Sequence, residues 1–231
     1  MANSYFLALL SCLLLTNISQ AQTYKIQTLD GTNANIKLRY KPFSTSFTIS
    51  YLTYKLIIPS YWSAGEVKVL NKKFLEIVYY ERGGSGVGTG NTLLLCISHG
   101  KLRQAMHIGS YSYSLGDEKI TANYTRLLLD AANTIHAVVY DTVELKQGPR
   151  PKSISIKKST ITFNTTQQVF CNYQKNINTS LSSYNYQTNH INKRHFTGIA
   201  PAFQLDGCEY IFINGKWYGK GGDNKTYFLI D

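Results

Sequence analysis

Glu76, Glu81, Asp206 and Glu209 are the side chains best suited to paired acid–base work, in which one carboxyl protonates a leaving glycosidic oxygen while the other assists attack. Such a pair must stand about 5–9 Å apart, a condition on the fold that spacing along a chain cannot test. Read locally, the four are strand-edge and turn residues, with Asp206-Gly207 as a turn. The other chemical motifs fail on their context. Gly83-Gly84-Ser85-Gly86-Val87-Gly88-Thr89-Gly90 lacks the Gly-Lys-Ser/Thr of a phosphate-cradling loop, and it leads into a strand where that loop needs a helix. Val87 stands where a nucleophile elbow around Ser85 requires its second glycine. Ser98-His99-Gly100-Lys101 and Ser155-Ile156-Lys157-Lys158 have Ser-x-x-Lys spacing, but neither a Ser-Asp-Asn nor a Lys-Thr-Gly partner accompanies them. The five histidines show no metal-ligand spacing, and Lys193-Arg194 between His190 and His195 would repel a divalent cation. No catalytic residue, metal or cofactor is therefore assigned, and the expectation leans away from an enzyme.

Charge carries more information. The chain has 24 Lys and Arg against 13 Asp and Glu, a formal +11. From Leu145 to Leu205 there is no acidic residue, yet eight cations occur: Lys146, Arg150, Lys152, Lys157, Lys158, Lys175, Lys193 and Arg194. The same stretch is rich in Asn, Thr, Ser and Tyr, including Tyr184 and Tyr186, whose groups bond hydroxyls and stack on flat rings. Trp62, in the turn-like Pro59–Gly65 connection, is the tryptophan expected at the surface, whereas Trp217 should anchor a hairpin. If the eight cations share one face, they raise the encounter rate and affinity for an anionic partner. Anionic polysaccharide, lipopolysaccharide phosphates or another envelope component come first as partners, and extracellular DNA ranks behind them.

The elements that must position these residues are strands. Apolar and polar residues alternate through most of the chain, no window carries a helical apolar stripe, and Phe43–Tyr51 reads as a strand with one wet face. Leu93–Ile97 and Leu127–Leu129 are apolar at consecutive positions, which predicts strands covered on both sides. Asn214-Gly215 supplies a two-residue hairpin turn that places Phe212 opposite Trp217 and Glu209 opposite Lys220. A similar turn at His99-Gly100 sets Cys96 across from Arg103 and Ile97 across from Leu102, and a looser one at Asp130–Asn133 joins two further strands. The expected fold class is all-β, an antiparallel meander forming a β-sandwich or open barrel, as one domain over residues 22–231. Gln147-Gly148-Pro149-Arg150-Pro151 is its one candidate sub-boundary, otherwise a long hairpin connection.

Residues 1–21 read as a cleaved signal peptide: an apolar run from Tyr5 to Leu15, then Ser19-Gln20-Ala21 in the small-x-small form before Gln22. No apolar run approaches the roughly 20 residues of a membrane-spanning helix. Export to the periplasm or extracellular space leaves Cys96, Cys171 and Cys208. Cys96 lies in an apolar strand and reads as a buried thiol, so Cys171 and Cys208 are the candidate disulfide. The expected function is an exported binding protein for an anionic polymer or glycan. A secreted glycan hydrolase and a structural protein binding another protein are the alternatives.

Overall fold

Alternating burial is what makes the strands. In Asn33–Tyr40 the residues Ala34, Ile36 and Leu38 are buried while Asn33, Asn35, Lys37 and Arg39 are exposed, the period of a pleated strand with one face on a core. The same rule builds seventeen strands in the computed structural model, which describes residues 20–40, 46–59, 61–81, 87–116, 119–145, 151–185, 188–220 and 225–230. At residues 20, 61, 62, 64, 87, 151 and 152 only the backbone is described. The expected signal peptide lies outside the described residues except for Gln20 and Ala21, which open the first strand.

An N-terminal antiparallel sheet contains β1 (Gln20–Gln27), β2 (Asn33–Tyr40), β3 (Ser46–Tyr51) and β4 (Tyr54–Pro59), paired in chain order. The second sheet is an eight-stranded meander of β5 (Tyr61–Leu70), β6 (Phe74–Glu81), β7 (Val87–Ser98), β8 (Lys101–Leu115), β9 (Lys119–Leu129), β10 (Thr134–Leu145), β11 (Pro151–Asn164) and β12 (Val169–Phe170). The last five, β13 (Tyr173–Asn185), β14 (His190–Leu205), β15 (Cys208–Ile213), β16 (Lys216–Lys220) and β17 (Thr226–Leu229), form a barrel closed by parallel pairing of β13 with β17. The fold is thus all-β with antiparallel sheets, as the alternation predicts, and its barrel is closed and confined to the last five strands. β10 and β11 pair antiparallel on either side of residues 146–150, which lie outside the described residues.

Both predicted tight turns set the expected register. His99-Gly100 and Asn214-Gly215 have positive φ at both positions, 47° and 69° in the first and 51° and 80° in the second, as a type I′ turn requires. Cys96 pairs with Arg103, Ile97 with Leu102, and Phe212 with Trp217. The Glu209 carboxylate, however, takes its cation from Lys175 of β13 and not from Lys220.

The eight-stranded sheet is the middle layer, and β7 shows why. Leu93, Leu95 and Ile97 pack with Ile36, Leu38, Phe47 and Ile49 of the N-terminal sheet, whereas Leu94 and Cys96 pack with Phe203, Leu205, Tyr210 and Trp217 of the barrel. Consecutive apolar residues therefore feed two cores. Leu127–Leu129 do not follow: Leu127 is buried, but Leu128 is 47% exposed. Four strands cannot cover the back of eight, and the N-terminal sheet packs over β6 and β7, short of β9. The seam with the barrel is closed by Trp217, whose Nε1 donates to the Gln104 carbonyl at 3.0 Å. A third core, with Ile177, Leu181, Ile211 and Tyr227, fills the barrel.

The three described cysteines are free thiols. Cys96 is buried as expected, and burial pushes its thiol up to about 12. The expected Cys171–Cys208 bridge is absent. Both side chains belong to the seam, but Cys171 Sγ turns to Gln167 Oε1 at 3.9 Å while Cys208 Sγ turns to the Lys220 carbonyl at 3.6 Å. The seam core is packed by apolar side chains from both units.

Candidate functional site

A cleft of about 510 Å³ opens where β6–β9 of the middle sheet meet the barrel, within the size range of small-ligand sites. It exists because β7 and β8 carry little bulk there. Gly90 and Gly109 line it, and a Cβ on Gly90 would come within 2.9 Å of the Tyr80 ring and 3.1 Å of Tyr111 Cβ. Tyr80 and Tyr111 meet edge to face at 5.9 Å, which holds the Tyr111 ring at the cleft wall. The barrel contributes Tyr184, Tyr210 and Phe228. Tyr184 is 40% exposed and Phe228 43% exposed, which leaves part of each residue open to a ligand, while Tyr210 is buried and stacked on Phe203 at 5.0 Å.

Two carboxylates line the same cleft. Glu81, at the end of β6, accepts from Asn91 Nδ2 and, at 3.4 Å, from Thr89 Oγ1. Burial raises its carboxyl above the ordinary range despite both donors. Asp206, at positive φ in the β14–β15 turn, is held from two sides: Asn123 Nδ2 donates to Oδ2 at 2.7 Å and Lys157 Nζ to Oδ1 at 2.5 Å. Asn123 and Lys157 also reach Asp141, at 2.9 and 3.1 Å, so the junction is tied by a four-residue polar network. Ser182, buried to 1% exposure, lines the cleft with an Oγ that has no hydrogen-bond partner among the described residues. Aromatic faces beside fixed carboxylates and amides suit a sugar, whose C–H faces stack and whose hydroxyls donate and accept.

Of the residues singled out from sequence, the fold gathers Glu81, Asp206 and Tyr184 at this cleft and brings Lys157 to its edge as the partner of Asp206. It sends Glu76 elsewhere, buried and paired with Lys68 at 2.9 Å, and burial raises the Glu76 carboxyl. Glu209 sits at one end of the barrel, where Lys175, Tyr173 and Tyr227 all donate to it. The remaining described cations scatter. Lys157 lies across from Val139 and Lys158 across from Val138, hence on opposite faces of β11, and Lys158 is exposed. Arg194 donates to the Tyr218 hydroxyl at 2.7 Å and lies 5.7 Å over its ring. With Lys193 and Lys216 it borders a separate depression of about 200 Å³ farther along β13 than Lys175. Lys146, Arg150 and Tyr186 lie outside the described residues, as do the side chains of Lys152 and Trp62. Sequence reading missed Asn91, Tyr111, Asn123, Ser182 and Phe228. Asn91 alone left a signal, as a polar residue opening an apolar strand.

No family model, curated protein or solved structure matches the chain.

Proposed function

We propose that this chain is an exported, non-enzymatic binding protein whose sheet–barrel cleft holds a glycan. One observation carries the reading: exposed Tyr184 and Phe228 stand with Tyr111 beside Glu81, Asn91, Asn123 and Asp206 in a single concave site. The leader-like residues 1–21 support export, and an envelope or extracellular polysaccharide is then the ligand within reach. Calorimetric titration with neutral tetrasaccharides of glucose, mannose, xylose and N-acetylglucosamine tests it. At least one should bind, and Tyr184→Ala with Phe228→Ala should weaken that sugar about tenfold or more, since each stacked ring contributes on the order of 1 kcal/mol. No binding across the set, or a variant that binds like the wild type while folded, overturns the proposal.

A glycan hydrolase is the second reading, and it rests on Glu81 and Asp206 lining one cleft. Glu81, with its carboxyl raised by burial, suits the proton donor, and Asp206, fixed by Lys157 and Asn123, suits its partner. New reducing ends during incubation with the bound sugar, abolished by Glu81→Gln, would favour the hydrolase over the binder.

A further inference from the structure

A positive surface without ion pairs among the described residues lies away from the cleft. It is the outer face of the N-terminal sheet. Strand alternation that buries Ile26, Ile36, Leu38, Phe47 and Ile49 turns Lys25, Lys37, Arg39 and Lys55 outward. The registers place them side by side. Lys37 pairs with Thr23 on one side and Ser50 on the other, and Ser50 pairs with Lys55, so one row crosses all four strands. Arg39 stands two residues along β2, across from Thr48, and Lys25 lies across from Asn35. At strand spacings of about 4.8 Å and 3.4 Å per residue, neighbouring cations are separated by roughly 7–10 Å.

Among the described residues, no carboxylate pairs with this charge. Asp30 is the sole acidic residue from Gln20 to Pro59, and it sits in the β1–β2 turn, where its carboxylate accepts from the His99 backbone N–H at 2.7 Å. None of the four cations forms an ion pair among the described residues. Lys37, Arg39 and Lys55 border one shallow depression of about 750 Å³ together with Asn35, Thr48 and Ser50. We infer that this face docks a linear anionic polysaccharide, whose charges lie along the lysine and arginine rows while its hydroxyls meet the interleaved Asn, Thr and Ser side chains. Charge complementarity supplies the attraction, and release of condensed counterions makes it salt-dependent. Bases would want several stacking rings, whereas Tyr51 is the one aromatic residue bordering this depression among the described residues, and it packs against the core beneath the sheet. A lipid surface would want a continuous apolar stripe, whereas the exposed Leu52 and Ile57 border this depression singly among the cations and hydroxyls, Ile57 across from Thr48 and two residues from Lys55. The face is on the opposite side of the middle layer from the barrel, and it stands or falls independently of the cleft.

The test is binding of the full chain to dextran sulfate at 50 and 200 mM salt, with uncharged dextran of equal length as the control. The wild type should bind the sulfated polymer and not the neutral one. Lys37→Gln with Arg39→Gln and Lys55→Gln should lower affinity at least tenfold at the lower salt and reduce the salt slope by roughly 2–3. Lys55→Gln alone should lower it about twofold to fivefold, which keeps the test alive if the triple variant folds poorly. Lys157→Gln with Lys158→Gln, Lys193→Gln and Arg194→Gln should stay within about threefold of the wild type, the residue of long-range attraction. The inference fails if the wild type does not bind, if the triple variant binds unchanged, or if the fourfold variant suffers the larger loss. It also fails if duplex DNA or anionic phospholipid vesicles bind more tightly than dextran sulfate through the same three residues.

Discussion

The acid-free stretch from Leu145 to Leu205 and the outer face of the N-terminal sheet both concentrate positive charge, the first along the chain and the second in space. In the stretch, Lys157 and Lys158 are adjacent in sequence, and a strand sends adjacent residues to opposite faces. In the sheet, Lys37 and Arg39 are spaced by two and share a face. Carboxylates from outside the stretch then finish the separation: Asp141 and Asp206 hold Lys157, and Glu209 holds Lys175. In a β protein, charge density per residue says little about potential at a surface. Charge at every second residue, on strands whose neighbours repeat the phase, says a great deal.

The sharpest way to break this comparison keeps composition and net charge fixed and moves one cation by one residue. Ile36→Lys together with Lys37→Ile puts an ammonium where Ile36 is fully buried and an apolar side chain in water. It should destabilise by more than about 4 kcal/mol, through a lost core side chain and an unpaired buried charge. Chemical denaturation should show a collapsed midpoint. A loss below about 1 kcal/mol would mean that the phase of β2 is not what fixes the face.

Glu209→Ala gives the next largest effect. Tyr173, Lys175 and Glu209 occupy positions of β13 and β15 in phase with the barrel core residues Ile177 and Ile211, so a cation of the acid-free stretch is absorbed at the end of a core. Truncation leaves Lys175 without its counter-charge and the Tyr173 and Tyr227 hydroxyls without their acceptor. We expect a loss of about 2–3 kcal/mol, reduced from the fully buried case because Lys175 is partly solvated. Burial alone would raise the Glu209 carboxyl, but Lys175, Tyr227 and Tyr173 outweigh it and hold it below the usual carboxylate range. A lowered folded pKa gives stability that is complete above the unfolded value and is lost as pH falls through the folded one. Glu209→Gln should therefore cost most at neutral pH and progressively less below about pH 4.5. Glu76 and Glu81, both raised by burial, have the opposite sign: their contribution is complete at low pH and is lost as pH rises through their folded values. A gap between wild type and Glu209→Gln that stays constant from pH 7 to pH 3 would remove the network as its cause.

What sequence could deliver follows the range of each interaction. The hairpins at His99-Gly100 and Asn214-Gly215 were legible to the pairing of individual residues, because a two-residue turn fixes register locally. The double-sided burial of Leu93–Ile97 was legible too, since a strand with no polar phase must face two cores. Leu128 looked the same and is exposed, because the length of the covering layer is a property of strands nearly a hundred residues away. The cleft was legible only in fragments. Glu81, Tyr184 and Asp206 could be named as types, but their convergence depends on how the barrel docks through Trp217 onto Gln104. The acidic partners of Lys157 and Lys175 were hidden for the same reason, since Asp206 and Glu209 lie 49 and 34 residues away.

Lys157→Gln should have the smallest effect and sharpens the comparison most directly. Among the described residues, Lys157 is the one cation of the stretch that reaches the edge of the cleft, yet its side chain is 55% exposed, so water and salt already screen its pairs with Asp141 and Asp206. Asn123 continues to bridge both carboxylates once the lysine is gone, which limits the damage to the junction. The melting temperature should fall by less than about 2 °C, the range of exposed ion pairs. Because two carboxylates already neutralise its charge, affinity for dextran sulfate should stay within about twofold of the wild type. A tenfold loss of that affinity from this single substitution would return the binding surface to the acid-free stretch, since no screened and neutralised lysine could contribute so much.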